Sequence, residues 1–184
     1  MREIEIKARC RDHAKLIESL KRQGVDVSDP VTQDDKVYGL PGEKGDNINT
    51  APWLRVRTET KHGETTSILT LKKTVTNQLD SIEHETIVHD ADEATQIILH
   101  LGFEPYIAVK KTRQKAMIGD IELCIDYVDG LGVFVEAEKL TDENADYDTV
   151  VAELWTVFEK FGITKDDQVT DGYDVLIRQK EGIA

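Results

Sequence analysis

Charged and apolar residues alternate in the first ten positions of the chain, most clearly in Glu3-Ile4-Glu5-Ile6-Lys7. A period of two predicts a β-strand, because successive side chains of a strand point to opposite faces of the sheet. One face of this strand would then be charged and the other apolar. The same alternation predicts six further strands, in the segments WLRVRTE, TSILTLKK, SIEHETIV, VKKTRQKAMI, IELCIDYV and GVFVEAEKL.

Apolar residues at helical spacing predict three helices of ordinary length and a short fourth helix at about 173–179. Each of the three begins after an aspartate that can cap it and is followed by a glycine that can end it. The candidate caps are Asp12, Asp90 or Asp92, and Asp146 or Asp148.

Residues 34–52, DDKVYGLPGEKGDNINTAP, show neither periodicity and are rich in Gly, Pro, Asn and Asp. This composition predicts one long loop. A long loop in a compact domain is often functional, and a flexible insertion is the alternative.

The charged faces of the predicted strands are compatible with two architectures. In an open antiparallel sheet they would face water, while the apolar faces pack against helices. In a closed barrel they would line a water-filled tunnel, with the apolar faces pointing outward under the helices. Acidic and basic residues are segregated by strand rather than mixed, and this favours the closed barrel.

Two Glu-x-Glu pairs, Glu3 with Glu5 and Glu136 with Glu138, lie on separate predicted strands. Alternate positions place both carboxylates of a pair on one face, about 7 Å apart along the strand. Oxygen ligands of this kind suit Mg²⁺ or Mn²⁺, which usually keep several waters and bridge to a substrate phosphate.

Basic residues on the same faces predict the binding of a polyanion such as a triphosphate, which needs donors on several sides. Arginine suits phosphate because its guanidinium offers donors in a planar fork. The candidate phosphate binders are Lys7, Arg55, Arg57, Lys72, Lys111 and Arg113.

Composition narrows the class of protein. A chain of 184 residues suits one domain, which we predict to span 1–184. Its net charge of −13 disfavours nucleic acid and membrane surfaces as partners, because both need a basic footprint. Two cysteines, Cys10 and Cys124, are too few for a disulfide framework.

We expect neither a leader peptide nor a membrane span, and hence a cytoplasmic protein. The oligomeric state stays open, with a homodimer as one candidate.

The N-terminal Glu-Ile-Glu-Ile-Lys resembles the ExExK signature of the CYTH superfamily, also called triphosphate tunnel metalloenzymes. The rest of the chain resembles the family in the same order. The matching segments are LRVR (54–57), LTLKK (69–73), VKKTR (109–113), CIDYVDGLGVFVEAE (124–138) and DGYDVL (171–176). The last two resemble the family's LDxVxxLGxFxEIE and SYxxLL stretches and point to the branch typified by class IV adenylyl cyclases.

This resemblance implies an α+β fold, a closed eight-stranded antiparallel β-barrel with helices packed outside it. It also implies a divalent cofactor, Mg²⁺ or Mn²⁺, and a small-molecule triphosphate: ATP, thiamine triphosphate or tripolyphosphate. By position, the implied metal ligands are Glu3, Glu5, Glu136 and Glu138. The implied phosphate binders are the six basic residues named above, and the implied catalytic residues are Lys7, Lys72, Arg113 and Asp126. Glu83 and Glu85 are either tunnel acids that orient the bases or members of the metal shell.

Three functions are compatible with these residues. The first is a class IV adenylyl cyclase-like conversion of ATP to cyclic AMP and pyrophosphate. The second is hydrolysis of thiamine triphosphate, inorganic tripolyphosphate or a nucleoside triphosphate, with water as the nucleophile. The third is a non-catalytic polyphosphate-binding module, which the many acids argue against, because a polyanion gains nothing from carboxylates without metal.

Overall fold

A computed structural model describes residues 1–42 and 51–183 of the chain, and in it the strands form a sheet that closes on itself. The strands of this described part are β1 Arg2–Arg9, β2 Val31–Gly39, β3 Trp53–Lys61, β4 Glu64–Thr74, β5 Asp80–Val88, β6 Glu104–Ile118, β7 Ile121–Val128, β8 Gly132–Thr141 and β9 Gln168–Val169. Its α-helices are α1 His13–Arg22, α2 Ala91–His100, α3 Tyr147–Lys160 and α4 Tyr173–Glu181.

The strand order is β5-β4-β3-β2-β6-β7-β8-β1, and every neighbouring pair is antiparallel. The first part of β1 then pairs with β5, with Glu3 opposite Ser81, and this closes the ring. Farther along β1, the short β9 pairs with Lys7 and Ala8. The predicted eight-stranded antiparallel barrel is therefore confirmed, and the open sheet was the wrong alternative.

The helices begin where the sequence predicts. Asp12 accepts a hydrogen bond from the Lys15 N–H, and Asp146 accepts one from the Thr149 N–H. Asp90 caps α2 by accepting from two N–H groups of its first turn. These bonds satisfy backbone donors that have no partner within the helix. No helix in the described part of the chain is both long and apolar enough to cross a lipid bilayer.

The apolar faces of the strands point outward and are covered by helices. The largest core cluster joins the outer side of β1, including Ile4 and Ile6, to Leu154 and Phe158 of α3. A second cluster packs Leu54 and its neighbours against α2. Since the outer faces take up these apolar side chains, the charged faces are left to line the interior.

The loop predicted over 34–52 is wrong in its first part, because residues 34–39 belong to β2. This strand lies between β3 and β6, with Asp35 opposite both Arg57 and Val109. Both of its faces are largely polar, since one faces the interior and the other leaves Thr32 and Lys36 exposed, so neither periodicity is visible. Residues 43–50 of the predicted loop lie outside the described residues.

Candidate active site

The inward faces of the strands enclose a cavity of about 190 Å³, which is open to solvent in part and which we call the tunnel. All the predicted metal ligands and phosphate binders line it. Asp126 is fully buried and lies directly behind the bases of the lining. The alternation therefore brings the candidate residues together in one place, while their roles as ligands remain predictions.

Three of the four predicted metal ligands form a compact group. Oxygen atoms of Glu5, Glu136 and Glu138 lie within 4.8 Å of one another. The register of β1 and β8 explains this, because it places Glu5 opposite Glu138 and Lys7 opposite Glu136. We call these three residues the carboxylate group.

The carboxylate group is short of positive charge. Burial and the neighbouring charge of Glu136 raise the pKa of Glu5 to about 7, despite the attraction of Lys7. Burial also raises the pKa of Glu138. Burial disfavours ionisation of Glu136 as well, but Lys7 and Arg113 hold its pKa well below the usual range. A hard divalent cation fits this set of buried oxygen donors and would supply the missing charge.

Glu3, the fourth predicted metal ligand, is not a member of the carboxylate group. Its carboxylate lies 3.6 Å from the Lys72 ammonium, which also forms an ion pair with Glu83. Burial raises the pKa of Glu3 well above its usual range, even though Lys72 opposes the shift. Glu83 therefore holds a base in place, as one of the two predicted alternatives states.

Arg113 is the most heavily bonded base of the tunnel. Its Nε and Nη2 atoms donate to the two oxygens of Asp126, at 2.7 and 2.6 Å, and it also contacts Glu136 and Glu138. Lys111 donates to the same Asp126 carboxylate at 3.1 Å. Burial opposes ionisation of Asp126, but Arg113 and Lys111 lower its pKa. Asp126 thus orients two bases from behind, which makes it a positioning residue.

Arg55 and Arg57 lie side by side on β3 but have different partners. Arg57 is paired at two points with Asp35, and both side chains are buried. Arg55 donates through Nη2 to Thr70 and to Glu85, whose side chain is 48% exposed. The Nε donor of Arg55 is buried and has no partner among the described residues. Arg55 therefore has one unsatisfied donor among its guanidinium N–H groups.

One end of the tunnel is covered by the beginning of α4. Gly172, Tyr173 and Asp174 line the cavity there, and the Gly172 N–H donates to the Gln78 side chain at 2.9 Å. The Tyr173 ring packs edge to face on inward-facing Phe134, with ring centroids 5.2 Å apart. Both residues belong to an apolar layer inside the barrel.

Three residues that line the tunnel have no role predicted from the sequence: Asp35, Tyr173 and Asp174. Asp35 lies within the segment predicted to be a loop. The unusual length of that loop for a compact domain was a sign that part of the segment forms a strand. Tyr173 and Asp174 lie in the DGYDVL segment. This segment supported the family resemblance, but its pattern predicted no functional role for either residue.

Cys124 is fully buried and lies on the same face of β7 as Glu122 and Asp126. Its sulfur lies near carboxylate oxygens of Glu122 and Glu138. Burial raises the pKa of the thiol well above its usual value. The thiol is therefore protonated, and a protonated thiol is a poor nucleophile.

Comparison with known proteins gives consistent results. The CYTH domain family matches residues 1–173. A Methanocaldococcus jannaschii protein provisionally named an adenylate cyclase is 30% identical over 175 residues, which are 94% of this chain and 97% of that protein.

Two solved structures extend the comparison. The PH1819 protein of Pyrococcus horikoshii OT3 is 25% identical with a TM-score of 0.82, covering 97% of this chain and 99% of that one. HpAC1 from Hippeastrum is 15% identical with a TM-score of 0.62, covering 100% and 97%. It is described as a provisionally assigned adenylyl cyclase with a dominant triphosphatase activity. At 15% identity this likeness shows the fold alone.

Proposed function

The chain belongs to the CYTH domain family, and we propose from this premise that it is a divalent-metal-dependent enzyme that converts ATP to cyclic AMP and pyrophosphate in the tunnel. The observation that carries the proposal is the meeting of the carboxylate group with a set of buried bases in one cavity. The relative from Methanocaldococcus jannaschii, provisionally named an adenylate cyclase, supports the choice of reaction.

The charge of the lining supports metal dependence. Among the described residues, nine acidic and seven basic side chains line the tunnel. A triphosphate would add several negative charges to a lining that is already short of positive charge. Binding without an added cation would therefore be opposed by electrostatic repulsion, and this argues against a metal-free polyphosphate-binding module.

In the proposed reaction, the 3′-oxygen of the ribose bonds to the α-phosphorus and the bond from that phosphorus to the bridging oxygen breaks. Pyrophosphate leaves, and the hydroxyl proton is released. Arg55, Arg57, Lys72 and Arg113 would bind the phosphoryl oxygens and stabilise the charge on the leaving pyrophosphate. Lys7 and Lys111 would bind the polyphosphate chain of the substrate at the tunnel end that α4 covers. A divalent cation held by the carboxylate group would neutralise phosphoryl charge and lower the pKa of the attacking hydroxyl.

Hydrolysis of a triphosphate is the second candidate function. It would use the same carboxylate group and the same bases, with water replacing the ribose hydroxyl as the nucleophile. The described triphosphatase activity of HpAC1, which shares the fold, favours keeping this candidate. The two reactions differ in the protein surface that would hold the adenine ring and the ribose of the nucleotide.

A product assay tests the proposal and separates the candidates. The purified protein is given ATP, thiamine triphosphate and tripolyphosphate in separate reactions with Mg²⁺ or Mn²⁺, and cyclic AMP, pyrophosphate and orthophosphate are followed. Cyclic AMP with pyrophosphate supports the cyclase. Orthophosphate without cyclic AMP selects the triphosphatase, and binding without any product selects the binding module. A parallel set with excess chelator controls for metal dependence.

A further inference from the structure

Tyr173 is the first residue of α4 and a buried aromatic side chain at the covered end of the tunnel, with 7% of its surface exposed. Its ring rests on the apolar layer that includes Val109, Val128 and Phe134. The other side of the residue lines the tunnel. Tyr173 therefore stands at the boundary between this apolar layer and the charged cavity.

Two bases of the tunnel lie against the Tyr173 ring. The Lys7 ammonium is 4.2 Å from the ring centroid, and the Lys111 ammonium is 4.9 Å from it. Such contacts are favourable because the face of an aromatic ring carries negative electrostatic potential. The ring thus positions two ammonium groups that we propose bind phosphate.

The hydroxyl of Tyr173 is buried and has no hydrogen-bond partner among the described residues. A buried hydroxyl without a partner is unfavourable, and most such groups in folded proteins are satisfied. Burial and the charges of Glu136 and Asp126 raise the pKa of the phenol well above its usual value. The group therefore stays protonated, so it can donate a hydrogen bond to an anion.

We propose that the Tyr173 hydroxyl donates a hydrogen bond to an oxygen of the bound polyphosphate chain, between the ammonium groups of Lys7 and Lys111. This inference rests on the proposed function and adds a neutral substrate-binding residue to it. It also gives the beginning of α4 a role in the substrate site, since Tyr173 is the first residue of that helix and lines the tunnel.

Substitution of Tyr173 by phenylalanine separates the hydroxyl from the ring. Tyr173→Phe keeps the packing on Phe134 and the contacts with both lysines, and it removes only the oxygen. Tyr127→Phe is a matched control, because Tyr127 lies on β7 and is 57% exposed. Inorganic tripolyphosphate with Mg²⁺ is titrated into each protein by calorimetry, and the melting temperature is measured without ligand.

We expect Tyr173→Phe to weaken tripolyphosphate binding about tenfold, in line with the loss of one hydrogen bond to a charged group. Its melting temperature without ligand should be unchanged or higher, because an unsatisfied buried hydroxyl has been removed. Tyr127→Phe should bind like the wild type.

Three results overturn the inference. Unchanged affinity in Tyr173→Phe would mean that water alone satisfies the hydroxyl. A fall in melting temperature that accompanies the loss of affinity would mean that the hydroxyl has a structural role. If the wild type does not bind tripolyphosphate with Mg²⁺, both the proposed function and the inference fail. If only Tyr173→Phe gives a contradicting result, the inference alone fails.

Discussion

Asp35 and Arg57 face each other across β2 and β3 and form a two-point ion pair inside the tunnel. Arg57 donates through Nε to Oδ1 at 2.7 Å and through Nη2 to Oδ2 at 2.8 Å. Asp35 is 4% exposed and Arg57 is 8% exposed. The pair fixes the guanidinium plane, so a base that we propose binds phosphate is held in place before the substrate arrives.

Asp35→Asn should reduce both stability and triphosphate affinity. The variant leaves the buried Arg57 cation without its counter-charge, which we expect to lower the free energy of unfolding by about 3–5 kcal/mol. Urea unfolding measures this loss. Asp34→Asn is the matched control, because the neighbouring Asp34 pairs with Lys110 at a site where both side chains are largely accessible to solvent. The control should change stability by less than about 1 kcal/mol, and equal losses in the two variants would contradict the account.

The stability contribution of Asp35 should depend on pH in the acid range alone. Burial opposes its ionisation, but Arg57 holds its pKa well below the usual range. A depressed pKa contributes stability that is complete above the unfolded-state value, about 3.9, and is lost as the pH falls below it. The difference in unfolding free energy between wild type and Asp35→Asn should therefore be constant from pH 5 upward.

Below about pH 4 this difference should narrow by up to about 1.4 kcal/mol for each pH unit. Urea titrations of both proteins at a series of pH values measure it. A difference that already narrows near neutral pH, or one that persists unchanged at pH 3, would mean that Asp35 does not carry the charge assigned to it.

Most of the barrel could be predicted from the sequence, because seven of its strands alternate between a charged interior and an apolar exterior. The exception was β2, where Asp35 faces the tunnel and exposed Lys36 faces outward, so that neither face has an apolar pattern. Strand alternation carries no information when both faces of a strand are polar.

The candidate site could be predicted as a set of residues but not as an arrangement. Alternation places Glu3 and Glu5 on the same face, yet the register between β1 and β8 decides that Glu5 joins Glu138. Glu3 instead lies near Lys72, which belongs to β4. Register across a barrel depends on how the whole sheet closes, and one sequence does not reveal it.

Glu5→Gln should remove metal-dependent turnover without loss of the fold. The substitution deletes one charged oxygen ligand, so we expect the affinity for Mn²⁺ to fall by at least about tenfold. The metal-free protein should melt at the same temperature or higher, because burial and Glu136 disfavour the Glu5 charge. Calorimetric titration with Mn²⁺ and a thermal melt measure both effects. Glu104→Gln, at the exposed start of β6, is the control, and activity that survives in Glu5→Gln would refute the metal assignment.

Arg55→Ala should weaken triphosphate binding with little effect on stability. Arg55 has an Nε donor without a partner among the described residues, and its carboxylate partner Glu85 is half exposed. Loss of its hydrogen bonds to phosphate should raise KM about tenfold or more. Steady-state kinetics and a thermal melt test this, with Arg22→Ala in the exposed last turn of α1 as the control. A KM equal to that of the wild type would remove Arg55 from the substrate site.

The most direct test of the central claim, that one tunnel holds both a divalent cation and a triphosphate, is anomalous diffraction from crystals grown with Mn²⁺ and tripolyphosphate. The account predicts an anomalous peak bound by oxygens of Glu5, Glu136 and Glu138. It also predicts phosphate density between that peak and the bases Arg55, Arg57, Lys72 and Arg113. Manganese bound elsewhere, or phosphate bound outside the tunnel while these carboxylates hold no metal, would contradict it.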